Sequence, residues 1–230
     1  VTSAAGEVFE SDLFVINADA AWFRGKFLQR KQYSEAKLDK MEWTLAPFTI
    51  YLGVKGTIPG IHHHNYFLGD NFRAYADTIF RSTVAPEKPY YYVNVASKSN
   101  PDCAPEGCEN LFILCPVPDL RVKADWGDVD QLVNEIIEDL GKRVNFDIKN
   151  NILTQVVYTP NEWQKMFNLY KGSGLGLAHG LNQIGALRPA NKDEKLNNVY
   201  YVGASTHPGT GLPIVVIGSR LVTERIENEH

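Results

Sequence analysis

Val199-Tyr200-Tyr201-Val202-Gly203-Ala204-Ser205-Thr206-His207-Pro208-Gly209-Thr210-Gly211-Leu212-Pro213 decides the fold of this chain. The first four residues are apolar, aromatic and β-branched, the composition of a buried strand. From Ile214 to Ile226 the apolar residues Val215, Ile217, Leu221, Val222 and Ile226 follow helical spacing, with Arg220 and Arg225 late in the run. The unit is therefore a strand, a glycine-rich loop and a helix. Gly203, Gly209 and Gly211 admit positive φ and let the backbone approach a ligand closely. Amides at the helix start, Leu212 to Val215, offer donors and a partial positive charge. Pro208 and Pro213 stiffen the loop, which lowers the entropy lost on binding. These features suit an anionic or electron-accepting ligand. A glycine-rich connection with no ligand is the reading the residues leave beside it.

Outward from this unit, strands and helices alternate without repeats. Val8 to Asn17 reads as a strand pair with a turn at Glu10 to Asp12. Ala21 to Lys40 is mixed, charged and helical in part. Phe48 to Val54, His63 to Leu68, Tyr90 to Val95, Leu111 to Val117 and Ile152 to Tyr158 read as strands, and Asn71 to Phe80 as a short helix. In Asp128 to Arg143, Leu132, Val133, Ile136, Ile137 and Leu140 fall on one helical face, and Lys142 and Arg143 complement the dipole. Thr159-Pro160-Asn161-Glu162 is a helix start, with Thr159 as N-cap and Glu162 completing a capping box. The expected class is α+β or α/β with a largely antiparallel section.

The chain has 230 residues, with 23 Lys plus Arg against 27 Asp plus Glu and a net charge of −4. That balance excludes a strongly basic nucleic-acid binder, so no nucleic acid is expected as partner. A hydrophobic share of 44% excludes disorder as the default state. Runs such as Leu111 to Cys115 and Leu212 to Ile217 fall far below the ~20 residues of a spanning helix. Three cysteines, an odd number, argue against a disulfide framework. The chain opens V-T-S-A-A-G-E-V, with no initiator Met and no signal peptide, and is expected to be a fragment or a processed chain. Neither G-x-G-x-x-G after a strand nor G-x-x-x-x-G-K-[ST] occurs.

The Tyr200-to-Pro213 stretch, followed by its amphipathic helix, resembles the carboxy-terminal flavin-contacting motif of bacterial and fungal phytoene desaturases. Tyr170-Lys171-Gly172 through His179-Gly180-Leu181, Arg188-Pro189-Ala190-Asn191, His63-His64-Asn65, Ala104-Pro105-Glu106-Gly107 and Pro116-Val117-Pro118 are similar to further segments of that family, in order along most of the chain.

The resemblance implies an incomplete flavoprotein of the amine-oxidase-like superfamily. Its fold would be α+β, an α/β FAD-binding part plus a mixed or antiparallel-sheet substrate part. Residues 1–20 and 171–230 would then belong to the FAD-binding domain and 21–170 to the substrate-binding domain. FAD contacts are expected from Gly203, Ala204, His207, Pro208, Gly209, Gly211, Leu212 and Pro213, with no catalytic residue and no metal ligand assigned. A reduced flavin carries negative charge at one ring edge, which a helix N-terminus stabilises. NAD is the alternative cofactor or electron acceptor. The implied activity is stepwise desaturation of phytoene toward lycopene or more desaturated carotenoids. Implied partners are a long polyene and a membrane surface, met peripherally on the cytoplasmic side, with homo-oligomerisation open. The alternatives are a related carotenoid or retinoid oxidoreductase or saturase, and a non-enzymatic prenyl or lipid carrier on the same scaffold. The family's amino-terminal dinucleotide fingerprint is absent, and Glu42 to Pro47 departs from its pattern.

His207 is expected to fix loop geometry rather than to transfer protons. His62, His63 and His64 invite a metal reading; alternation would place His62 and His64 on one face and His63 on the other, with no further ligand at suitable spacing. His179 is expected as a packed histidine near the cofactor, Arg188 as a cofactor contact or a helix cap, Glu162 as a cap and Trp163 as core.

Overall fold

The computed structural model describes residues 1–83, 85–86 and 88–230. The chain forms two compact units: Val1–Thr44 with Asn168–Tyr170 and Leu175–His230, and Leu45–Phe167 with Lys171–Gly174. Residues 21–44, expected with 21–170, belong to the first unit. The reason is visible within it: Ala21, Tyr33, Leu38 and Trp43 share a buried cluster with Tyr170 and Leu177.

The first unit is built on two strands, β1 (Phe14–Ile16) and β7 (Val199–Tyr201), paired in parallel with Phe14 opposite Val199 and Ile16 opposite Tyr201. The strand pair expected within Val8 to Asn17 does not form. Val8 makes only an antiparallel bridge to Thr2, and Val8 and Phe9 stay exposed. Phe14 and Ile16 instead pack with Val199 and Tyr201, an apolar partner that the residues before them cannot supply. Helix α1 (Ala20–Lys26) follows β1, capped by the Asp19 carboxylate, which accepts from the Trp22 amide at 3.2 Å. A short helix α2 (Glu35–Leu38) follows, and the chain ends in α6 (Leu212–Glu229), which begins two residues before the expected Ile214.

In the second unit β2 (Ala46–Lys55), β3 (His64–Phe67), β4 (Tyr91–Asn94), β5 (Cys108–Val117) and β6 (Ile152–Tyr158) form an antiparallel sheet in the order β3-β4-β5-β2-β6. Alternation along β2 and β5 sends Phe48, Ile50, Leu52, Leu111, Ile113 and Cys115 to one face. There they meet Leu132, Ile136, Ile137 and Leu140 of α4 (Val129–Val144). That helix ends at Asn145, whose left-handed backbone (φ 49°) stops it. Helix α3 (Phe72–Arg81) is capped by Asn71. Helix α5 (Pro160–Phe167) carries the expected capping box: the Thr159 amide donates to Glu162 at 2.8 Å and the Asn161 amide to Thr159 Oγ1 at 3.2 Å. Trp163, expected in the core, lies half-buried beside Tyr158, whose register partner Thr49 shares the sheet face turned away from α4.

Candidate functional site at the Gly203–Gly211 loop

At the carboxyl end of the parallel pair, β1 runs into Asn17 and β7 into Gly203, which has φ +104°. A Cβ on Gly203 would lie 3.4 Å from Asn17 Oδ1. This is the end of a parallel sheet at which ligands are held in α/β folds. The loop from Gly203 to Gly211 continues from there to α6.

The loop is held from behind by Arg188-Pro189-Ala190-Asn191. The Arg188 guanidinium, 4% exposed, donates all five of its hydrogens to backbone carbonyls. Nε goes to Thr206 (3.0 Å), Nη1 to Ala178 (2.9 Å) and Gln183 (3.1 Å), and Nη2 to Leu177 (2.7 Å) and Ala204 (2.6 Å). The open choice for Arg188 is thereby decided. It has no hydrogen left for a ligand; it clamps the loop to residues 177–183. Burial among carbonyls depresses its pKa. Asn191 Nδ2 donates to the carbonyl of His207 at 2.6 Å, the His207 amide donates to Pro189 at 2.9 Å, and the buried Thr206 hydroxyl faces the carbonyls of Pro189 and Ala190, each at 2.8 Å. His207 is held in the loop through its backbone amide and carbonyl, and the His207–Pro208 peptide is cis.

The three glycines do different work. At Gly209 (φ +149°) a Cβ would run into the ring of His179, so the close approach there is to a side chain of this protein and not to a ligand. His179 is packed at the loop, where its Nε2 accepts from the Thr210 amide at 3.2 Å. Gly211 (φ +112°) is the N-cap of α6, and its nearest neighbour for an added Cβ is Ile214 Cγ1 at 3.8 Å. Space there is open.

Helix α6 starts with Pro213 in its first turn and no side-chain cap. Its first intrahelical bond is from the Val215 amide to Gly211 O at 2.9 Å. The amides of Leu212 and Ile214 therefore have no acceptor within the helix, and Leu212 is 84% exposed. Beside them the Thr210 hydroxyl is buried with no partner within the described residues, a cost that only a hydrogen-bonding group at the site offsets. Sequence reasoning passed over Thr210; its position between two glycines was the available signal. Two free amides, the positive end of the helix and an unpaired hydroxyl fit the edge of an electron-poor heterocycle that gains negative charge on reduction, as an isoalloxazine does. The same residues offer no second set of amides for a diphosphate.

Of the eight expected contacts, Gly211, Leu212 and Pro213 stand at the open α6 end of the loop, and Gly203 at its β7 end beside Asn17. Ala204 binds Arg188 through its carbonyl, and Gly209 backs on His179. Pro208 packs toward α6, where a Cβ on Gly218 would meet its Cδ at 3.1 Å.

No group of three or more His, Cys, Asp or Glu among the described residues is placed to hold a metal. His63 and His64 do not point to opposite faces. Their ring centroids are 4.2 Å apart; the His64–Asn94 register continues at the backbone, where the His63 carbonyl accepts from the Val95 amide at 2.8 Å. His63 Nδ1 pairs with Ser99 Oγ at 2.7 Å and His64 Nδ1 with Tyr92 Oη at 2.6 Å.

No family model matches the chain. A zeta-carotene-forming phytoene desaturase of Myxococcus xanthus is 38% identical over 223 residues, covering 96% of this chain and 43% of its own length. A phytoene desaturase of Fusarium fujikuroi is 32% identical over 247 residues, covering 98% of this chain and 43% of its own length. This chain thus spans less than half the length of the curated relatives it matches. Among solved structures, an oxidoreductase of Methanosarcina mazei aligns with a TM-score of 0.53 at 17% identity, over 95% of this chain and 44% of that one, which establishes likeness of fold.

Proposed function

Over nearly its whole length this chain is a homologue of the carotenoid desaturases, and on that premise we propose that the protein containing it is an FAD-dependent phytoene desaturase. The observation that carries the cofactor assignment is the amino end of α6, where the Leu212 and Ile214 amides and the buried Thr210 hydroxyl stand unpaired around an open Gly211. FAD bound there would supply a two-electron acceptor for hydrogen leaving an allylic carbon. The chain's own residues do the rest. The helix dipole and the two amides favour the charge that reduction puts on the ring edge. Gly203 and Gly211 keep side chains out of its path. Arg188 and Asn191 fix the loop before any ligand arrives, so little entropy is lost on binding.

The substrate is a long hydrocarbon with negligible water solubility, and we propose that it is exchanged at a membrane surface, peripherally and on the cytoplasmic side. No helix among the described residues is long and apolar enough to cross a membrane.

The test is the complete protein in cells that make phytoene, with carotenoids separated by chromatography and the purified protein scanned for flavin absorbance. Coloured polyenes and a flavin spectrum are expected. Unchanged phytoene in the presence of folded, flavin-loaded protein would overturn the activity, and a colourless protein the cofactor.

A further inference from the structure

Within the second unit a cleft of about 850 Å³ lies between α3 and α4, a size that takes a small organic molecule. Its walls follow from helical spacing. At α3, Asn71, Ala74, Tyr75 and Thr78 stand three or four residues apart or adjacent and line one side. On α4, Glu135, Glu138, Asp139 and Lys142 form a second stripe, on the side of the helix turned away from Leu132, Ile136 and Leu140. Leu68 and Pro89 add apolar surface. Tyr90 is the buried polar member of the lining. It is 6% exposed, and its ring stacks on Tyr75 with centroids 4.4 Å apart. A Cβ on Gly69, also at the cleft, would lie 3.3 Å from the Tyr90 hydroxyl oxygen. That hydroxyl has no hydrogen-bond partner among the described residues, whereas the hydroxyl of Tyr75 donates to the Pro116 carbonyl at 2.8 Å. A buried hydroxyl in that state has lost its hydration and gained nothing until a ligand supplies a partner.

The charges decide which partner fits. Asp139 meets Arg143 Nε at 2.7 Å and accepts from the Tyr91 hydroxyl at 2.6 Å, and Glu138 meets Lys149 Nζ at 3.2 Å. Arg143 Nη1 donates to the Leu68 carbonyl at 3.2 Å. Lys88 and Lys142 have no ion pair or hydrogen bond among the described residues. At the amino end of α3, Asn71 accepts from the Ala74 and Tyr75 amides, each at 3.1 Å, which leaves the Phe72 and Arg73 amides without an acceptor in the helix. Two unpaired cations, a helix amino end and a stranded hydroxyl favour an anion. Asp70, exposed at the cleft, and Glu135, whose partner is the neutral Gln131 amide at 2.9 Å, oppose a second negative charge on it. We infer that this cleft binds a small organic monocarboxylate with an apolar body. Its carboxylate is attracted by Lys88 and Lys142 and accepts from the Tyr90 hydroxyl, and its body packs on Leu68 and Pro89. The site stands apart from the desaturase reading, since none of these residues belongs to the Gly203–Gly211 loop.

The experiment titrates benzoate into the complete protein by calorimetry at neutral pH, with benzyl alcohol and phenyl phosphate as the uncharged and the more highly charged analogue. Benzoate should bind about tenfold more tightly than benzyl alcohol, and more tightly than phenyl phosphate. Lys142→Gln, at an exposed position, should weaken benzoate about threefold. Tyr90→Phe keeps the stack on Tyr75 and should weaken benzoate about fivefold, yet raise the melting temperature of the ligand-free protein, because the stranded hydroxyl is gone. A residue that served packing alone would not weaken binding. Lys55→Gln, at the end of β2 and outside the cleft, should change nothing. Absence of saturable benzoate binding would overturn the inference, as would full affinity in both the Lys142 and the Tyr90 variants. A lower melting temperature for Tyr90→Phe would show that the hydroxyl has a partner in the protein, with the same consequence. Tighter binding of phenyl phosphate would overturn the single charge. Benzoate that perturbs the flavin absorption and survives both variants would place the probe at the flavin and not in this cleft.

Discussion

Gly209 backs directly onto the imidazole of His179, so that a Cβ at position 209 would overlap the ring whose Nε2 accepts from the Thr210 amide at 3.2 Å. The glycine is therefore required by packing inside the loop, and not by a ligand outside it.

Gly209→Ala should destabilise the protein by ~2 kcal/mol through this overlap and through its positive φ. Trimming the obstacle should recover part of the loss: Gly209→Ala with His179→Ala should be more stable than the sum of the single changes allows, by ~1 kcal/mol. A double-mutant cycle by chemical denaturation measures this, and strict additivity would show that the two residues do not touch.

Gly211 makes the opposite prediction. Its surroundings are open, so Gly211→Ala should cost only the backbone strain of φ +112°, ~1–2 kcal/mol. Flavin retention in the complete protein should nevertheless fall at least about tenfold, because the methyl group enters the space in front of the α6 amides. Titration of apoprotein with FAD, beside a melting curve, separates the two effects. Unchanged affinity would place the ring elsewhere.

Arg188 should tolerate no replacement. Arg188→Met takes the guanidinium donor from five carbonyls, of which Ala178 keeps a bond from Gln183 Nε2, and should cost ~3–5 kcal/mol. Arg188→Lys has three hydrogens in a different geometry and should recover less than half of that. Denaturant midpoints of the three proteins decide it; a lysine variant of full stability would show that charge alone, and not the fork of donors, holds the loop.

The Asp193 carboxylate predicts acid sensitivity. Burial pushes its pKa up, but hydrogen bonds from the Lys195 amide, Arg30, Tyr201 and the Leu196 amide outweigh burial and hold it at about 2. The group binds its proton more weakly folded than unfolded, where a carboxyl titrates near ~3.9. Its contribution is thus complete above that value and is lost as pH falls toward 2. Melting temperature against pH should drop over this window, and Asp193→Asn should start lower and drop less.

Much of this was legible in residue order. Local periodicity gave β2, β5 and α4, because each is written in spacings of two, three or four residues. The capping box at Thr159 and Glu162 and the strand–loop–helix unit around Gly203 were legible for the same reason, as was the likeness to the desaturases, carried by short contiguous motifs. Arg188 was visible as part of R-P-A-N, yet its choice between ligand and cap could not be made. Its acceptors at 177, 178, 183, 204 and 206 come from two separate stretches that meet only in the folded unit.

Residue order by itself determined which segments become strands and helices and which loop carries the glycines, since those depend on neighbours within a turn or a pleat. Tertiary structure alone decided that Phe14–Ile16 pairs in parallel with Val199–Tyr201, that His179 fills the space behind Gly209, and that rings from five strands and a helix lie in one row. Such contacts are fixed by burial and chain crossing between residues far apart in sequence, and no local pattern encodes which distant partner a side chain will meet.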